Sequence, residues 1–265
     1  MKYSLISGQR QEAQPGQSGE CACCSSPTVA KCGEIKVWHW AHKGKRHCDP
    51  WWENETEWHR TWKSHFPTDW QEVIHQAEDG TKHIADVKTD QGWVLEFQHS
   101  SLADEERQAR NNFYPQLVWI VDGMRRKRDK TQFFNALEGR APIHPSVTMW
   151  EVLTNECALL KEWNNNRTAV FFDFGEDVPL WTLLPGPNEG TTYVGPFSRT
   201  SFLEFHKPGA TQSGQDFTGL LKTLNEIVTT YVTYRQAQKA QAQQIQANRV
   251  LDILRSQQQR NRRRF

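Results

Sequence analysis

Long apolar runs are absent from this chain. The longest is Leu117–Val121, far short of the ~20 residues a membrane-spanning helix needs. The opening segment, MKYSLISGQR, has no extended apolar stretch of the signal-peptide kind, so no membrane association and a cytoplasmic location are expected. An excess of charge of one sign is also lacking: the net charge is +1, and bulk electrostatics alone do not mark a polyanion binder. Cysteine is nearly missing from most of the chain. Five of the six lie between Cys21 and Cys48, and only Cys157 lies elsewhere. With no export signal, that clustering favours a metal site over disulfides. No internal repeat recurs.

What is present is a core-forming composition. The chain has 265 residues with 12 Trp and 13 Phe, enough for one large domain or two small ones. Four stretches follow from composition: a Cys/His module over 1–50, alternating helix and strand signals over 51–123, mixed structure over 124–215, and a helical, basic tail over 216–265. Within them, QRQEAQPGQSGE (9–20) reads as a polar loop or arm. RRKRDK (125–130) is a charged break, and LPGPNEG (184–190) is a Pro/Gly break.

The 51–123 stretch is the most informative. In ENETEWHRTWKSHF, Trp58, Trp62 and Phe66 recur at helical spacing on one face, and Glu55, His59 and Lys63 run beside them. Glu57 falls on the far side and stands three residues after Asn54, the spacing of a capping box. QEVIHQA, KHIADVKT and GWVLEFQHS are strand candidates. LADEERQARNNF suits a helix with Ser101 as N-cap, and QLVWIVDG is a buried strand ending at a glycine. The order is α-β-β-β-α-β.

Acids sit on the strands themselves. Side chains alternate along a strand, so Glu96 and Gln98 share a face with Val94, and Asp86 shares one with Ile84 and Lys88. A three-residue loop, Asp90-Gln91-Gly92, supplies the glycine such hairpins need. It pairs Thr89 with Trp93 and, counting back, sets Asp86 opposite Glu96. Directly opposed carboxylates repel and call for a cation or a shared proton. A hard ion such as Mg²⁺ or Mn²⁺ prefers carboxylate oxygens and can activate a water for attack on a phosphoryl centre. Solvation on a half-exposed sheet is the competing reading of the same pair.

The module over 1–50 carries Cys21-x2-Cys24, His39-x2-His42, His47 and Cys48. Zinc takes four tetrahedral Cys/His ligands, and TVAKCGEIKVWHW reads as a hairpin turning at CGE that brings the two ends together. Cys21, Cys24, His39 and His42 are one ligand set. Cys48 can replace either histidine, and Cys32 is a further candidate. Seven of the 12 Trp lie between Trp38 and Trp70 among basic residues. Stacking on unpaired bases and core packing are both open to them, and packing is favoured, with Trp38 and Trp40 on one strand face.

On these residues the chain resembles the PD-(D/E)xK nuclease superfamily and, more closely, the CoiA-like competence protein family. The resemblance rests on C-x2-C within CACC, on HWAH, and on the acid four residues before a histidine in ETEWHRTWK. It continues through HIADV, LEFQHSS and YPQLVWIVDG, covering roughly residues 21–123. It implies an α/β fold with a nuclease-like core and an N-terminal zinc-binding-like module; the C-terminal half lies outside the resemblance and reads from its own pattern as an additional C-terminal α+β region. It also implies a metal-dependent DNA nuclease with Asp86 and Glu96 as metal ligands, Glu55 as a further acid, and Gln98 where the superfamily has Lys. Gln is neutral and orients a water or phosphate only through hydrogen bonds, so Lys88 or Lys63 would supply the missing charge. A catalytically silent DNA-binding or adaptor protein on the same fold is the alternative. A partner-binding protein with a structural zinc site is the third reading.

Other residues have double readings. His59 and Lys63 can be a solvated helix face. His99 suits packing or surface better than catalysis. Arg107 and Arg110 share a face that either touches phosphate or forms exposed ion pairs. RRKRDK and the arginines of the tail (Arg249, Arg255, Arg260, Arg262, Arg263, Arg264) can attract a polyanion or remain solvated. Ile245, Val250, Leu251 and Leu254 give the tail a thin apolar stripe for a protein partner.

Overall fold

The computed structural model describes the chain except residues 45–47, 52–54, 144–146, 165–167, 186–189, 215 and 263–265, and except the side chains of 185 and 258–262. His47, Asn54, Arg263 and Arg264, the side chains of Arg260 and Arg262, and most of the 184–190 break lie outside the described residues.

The N-terminal module is a five-stranded sheet of β1 (Tyr3–Ile6), β2 (Gln9–Glu12), β3 (Ser18–Glu20), β4 (Pro27–Lys31) and β5 (His39–His42), in the order β2-β1-β3-β4-β5. The segment expected to be a loop at 9–20 therefore holds two strands. Its polar side chains reflect an exposed sheet face, since β2 is exposed throughout. The hairpin read from TVAKCGEIKVWHW is present, β4 pairing antiparallel with β5, with a connection over 32–38 rather than a tight turn at CGE. Trp38 falls in that connection and is exposed, while Trp40 is buried.

Next come α1 (Glu57–Ser64), β6 (Gln71–Gln76), β7 (Lys82–Lys88), β8 (Val94–Gln98), α2 (Asp104–Phe113) and β9 (Leu117–Asp122), the α-β-β-β-α-β order read from the sequence. β6, β7 and β8 pair antiparallel, and β8 pairs parallel with β9. The helix–strand signals are legible because the apolar spacing changes from helical on α1 to alternate or continuous on the strands. Two local expectations are corrected. The capping box of α1 is formed by Thr56 and His59, not by Asn54 and Glu57; Glu55 precedes the helix, and Glu57 is exposed in its first turn. The N-cap of α2 is Ala103, without a side-chain cap, rather than Ser101.

The remaining elements are α3 (Asp129–Asn135), β10 (Trp150–Leu153), α4 (Ala158–Trp163), β11 (Ala169–Asp173), β12 (Leu180–Pro185), β13 (Thr191–Phe197), α5 (Arg199–His206) and α6 (Phe217–Arg262). The 124–215 stretch shares a sheet with 51–123: β11 pairs parallel with β9, giving eight strands in the order β10-β13-β12-β11-β9-β8-β7-β6.

Both faces of this sheet are covered. Trp62 and Phe66, from α1 and the turn after it, pack with Phe97, Ile120, Phe202 and Phe217 on one face. Tyr114, Trp119, Phe133, Leu160 and Trp163 pack on the other. β9 is buried at every residue, as expected of a parallel strand between two helical layers. Among the described residues no helix is long and apolar enough to cross a membrane.

Candidate functional site

Two three-residue hairpin loops set the geometry. In β7–β8, Thr89 N donates to Trp93 O at 2.8 Å, and Gly92 takes φ +87°. The register then pairs Lys88 with Val94 and Val87 with Leu95, as counted from the sequence. One step further the ladder gives way to side chains. Asp86 N donates to Glu96 Oε1 at 3.4 Å, and Phe97 N donates to Asp86 Oδ2 at 3.0 Å. The two acids face each other where the strands part.

The β6–β7 hairpin repeats the arrangement. Ala77 N donates to Thr81 O at 2.9 Å around a loop ending in Gly80, also at φ +87°. Gln71 pairs with Val87 and Val73 with Ala85, so Glu72 falls opposite Asp86. Glu72, Asp86 and Glu96 thus form one row across three adjacent strands. Glu72 was missed in the sequence, although the loop counting that placed Asp86 opposite Glu96 also places Glu72 in the row. Its backbone has φ +48°, a left-handed conformation uncommon outside glycine. The carboxylate is held there by the amides of Lys2 (2.6 Å) and Tyr3 (3.1 Å).

Lys63 lies among these acids. Its Nζ is 2.9 Å from Asp86 Oδ1, 3.2 Å from Glu55 Oε1 and 3.5 Å from Glu72 Oε1. The helix face read as solvated is therefore buried, with Lys63 and His59 nearly inaccessible. Burial disfavours the ammonium, but Asp86, Glu55 and Glu72 together outweigh it and hold the Lys63 pKa well above its ordinary value. Burial opposes ionisation of Glu72 as well, yet Lys63 and the two amides bring its carboxyl down to about 2.

Glu96 is the opposite case. Burial and the facing Asp86 push its carboxyl up to about 8, although Arg110 Nη1 lies 3.0 Å from Oε2. Arg107 and Arg110 are neither exposed nor free for phosphate. Arg107 donates to Glu162 O and pairs with Asp104 at 2.8 Å, while Arg110 joins Glu96 to Glu106. Gln98 is buried beside Glu96 and donates Nε2 to Ser100 O at 3.1 Å.

Asp49, Glu55, His59, Lys63, Glu72, Asp86, Glu96, Gln98, Arg110 and Tyr114 line one cleft with about 70 Å³ of free space, room for a few waters. Asp86 is its most open carboxylate, with a side-chain exposure of 22% against 10% or less for Glu55, Glu72 and Glu96. Lys88 does not line the cleft. His99 Nδ1 lies 2.7 Å from Asp122 Oδ2 and is partly exposed.

The second cluster is in the N-terminal module. Cys21, Cys24, His42 and Cys48 place one ligand atom each within 4.8 Å of one another, the one such convergence of Cys, His and acids among the described residues. Cys21 Sγ is 3.7 Å from Cys48 Sγ, and His42 Nε2 is 3.4 Å from both Cys24 Sγ and Cys48 Sγ. A tetrahedron with Zn–S of about 2.3 Å has S···S edges of about 3.8 Å, so the spacing fits a four-coordinate ion and is far longer than a disulfide. The electrostatics agree. A hydrogen bond from Cys48 is the main cause that holds the Cys21 thiol down at about 4, and it pushes Cys48 up in turn. A second thiolate here needs a cation. Cys23 N donates to Cys21 Sγ at 3.4 Å, tightening the C-x2-C turn.

His39 is not in this set, and Cys48 takes its place. The reason is strand geometry: residues three apart point to opposite faces, so His42 shares its face with buried Trp40 while His39 turns away and spends Nδ1 on Val37 O at 2.9 Å. The four residues that converge can hold a metal ion such as zinc.

Asp49 joins the two sites. It follows Cys48 directly and accepts from His83 Nδ1 at 3.1 Å and Ile84 N at 3.0 Å, both on β7 just before Asp86. No family model, curated protein or solved structure matches this chain.

Proposed function

We propose that the chain is a metal-dependent DNA nuclease with a PD-(D/E)xK-like core related to CoiA-like competence proteins. The observation that carries the reading is the facing pair Asp86–Glu96 in a buried cleft, where the Glu96 carboxyl is pushed up to about 8. Burial and the facing Asp86 together raise it, and a divalent ion held by the two acids would relieve both. Mg²⁺ is commonly held by one or two carboxylates and several waters, which Asp86 and Glu96 would supply. The ion would activate a water against a phosphodiester. Gln98 would orient that water, and Glu55 and Lys63 would set the charge around it. The antiparallel, antiparallel, parallel pairing of the α-β-β-β-α-β stretch supports the same reading.

One observation favours the silent DNA-binding alternative: the Lys63 ammonium already balances Asp86, Glu55 and Glu72. A cleavage assay on single-stranded, duplex and branched DNA with Mg²⁺ or Mn²⁺ separates the two. Metal-dependent cutting by the wild type that is lost in Asp86→Ala and Glu96→Ala is expected. No cutting, with salt-sensitive DNA binding retained in both variants, would establish the silent protein.

A further inference from the structure

The charge of this chain is divided unevenly, and the fold exposes the division. Residues 233–265 carry eight Lys and Arg against one acid, Asp252. The other 232 residues hold 24 basic against 30 acidic residues, so a body at −6 carries a segment at +7 within a total of +1. α6 packs on the body through Leu224, Val228, Tyr231 and Val232. Beyond that, every residue from Thr233 to Gln257 is exposed.

That exposed stretch has little to hold it as a lone helix. The one ion pair along it among the described residues is Arg255–Asp252 at 3.7 Å. The stretch also leaves Ile245, Val250, Leu251, Ile253 and Leu254 exposed, and a helix without packing or a dense set of such pairs gains its stability from a binding partner. Three of the four basic side chains described along it share one side. At about 100° per residue, Arg235, Lys239 and Arg249 fall within an arc of about 80°, with Arg255 on the opposite side. The three extend over roughly 21 Å at 1.5 Å per residue.

We propose that this half of α6 is an arm that binds the sugar-phosphate backbone of nucleic acid, the stripe Arg235–Lys239–Arg249 facing the phosphates. Charge complementarity decides the occupant. The acidic body repels a polyanion, and a second copy of the arm would repel this one. The inference deepens the nuclease reading and rests on it: a cleft lined by carboxylates gains no attraction for DNA, so capture is assigned to a separate element.

The test is fluorescence anisotropy with labelled single-stranded and duplex DNA. The full chain carries Asp86→Asn, so that binding is read without cleavage. It is compared with the same chain bearing Arg235→Gln, Lys239→Gln and Arg249→Gln, and with a second variant carrying Arg→Lys at the two arginines. The Gln variant is expected to lose affinity at least ~10-fold. Its slope of log K against log salt should fall by about 2, since each of three phosphate contacts contributes ~0.7 to 0.9. The Lys variant should keep both, because backbone contacts depend on charge. Unchanged affinity and slope in the Gln variant would overturn the arm. So would unchanged DNA binding with a switch from dimer to monomer in sedimentation, which would assign the helix to self-association. Loss of cleavage chemistry in the wild type leaves this result untouched, so the two readings fail separately.

Discussion

The Lys63 ammonium lies 2.9 Å from the Asp86 carboxylate at the centre of a row of acids that spans three strands. It neutralises Asp86 together with Glu55 and Glu72, whereas Glu96 in the same row is paired with Arg110. Removing it leaves Asp86 and Glu72 without their main counter-charge, while Glu55 keeps Arg60 at 2.8 Å. Lys63→Met should therefore destabilise the metal-free protein by about 3–5 kcal/mol, the range for breaking a buried ion pair. Mg²⁺ should raise the melting temperature of the variant more than that of the wild type. A variant that melts identically with and without Mg²⁺ would show that the acids form only a structural network.

The cysteine cluster predicts metal content directly. The purified chain should carry about one zinc ion, as four ligands make one tetrahedral site. Cys21→Ser, Cys24→Ser, His42→Ala and Cys48→Ser should each lower the zinc content measured by inductively coupled plasma mass spectrometry. His39→Ala should not. Loss of zinc in His39→Ala would mean that the strand face assigned to His39 is wrong.

Asp49 tests the link between the two sites. It accepts hydrogen bonds from His83 and Ile84 on β7 and is itself buried. Asp49→Ala should cost about 1.5–3 kcal/mol, the scale of a hydrogen bond to a charged group, while zinc content stays unchanged. Chemical denaturation beside a zinc assay reads both. Zinc lost in proportion to stability would make Asp49 part of the metal module alone.

His206 gives a pH dependence. It is fully buried against Phe202 and Phe217, and burial pulls its pKa down to about 4, below the ordinary value of 6.5. The unfolded chain therefore binds this proton first as pH falls. The stability that His206 contributes is complete above about 6.5 and declines as pH drops towards 4, by up to ~3 kcal/mol at 1.36 kcal/mol per unit. Denaturant midpoints from pH 7 to pH 4 should fall in the wild type and fall less in His206→Gln. Parallel curves would assign the acid sensitivity to other groups.

Much of the cleft was legible in the sequence because hairpin loops count. Gly92 closes a three-residue loop, and from it the opposition of Asp86 and Glu96 follows with no tertiary information. Gly80 closes a second loop and yields Glu72 by the same count. Strand and helix order in 51–123 was legible because apolar spacing differs between the two. Strand alternation also implies, once His39 and His42 are placed on one strand, that the two histidines cannot both face one site.

What the tertiary structure alone decided was burial and partnership. Lys63, Arg107 and Arg110 have the composition of solvated helix faces, and periodicity cannot tell a charge facing water from one facing a buried acid. Only the packing of α1 and α2 in the fold sets Lys63 beside Asp86 and Glu72, Arg110 beside Glu96, and Arg107 beside the Glu162 carbonyl. The continuation of the sheet through β11 is equally non-local, since a parallel partner is chosen by long-range closure and not by neighbouring residues. The sequence by itself determined the local elements and the row of acids. The fold determined which charges neutralise that row, because those contacts join residues distant in the chain.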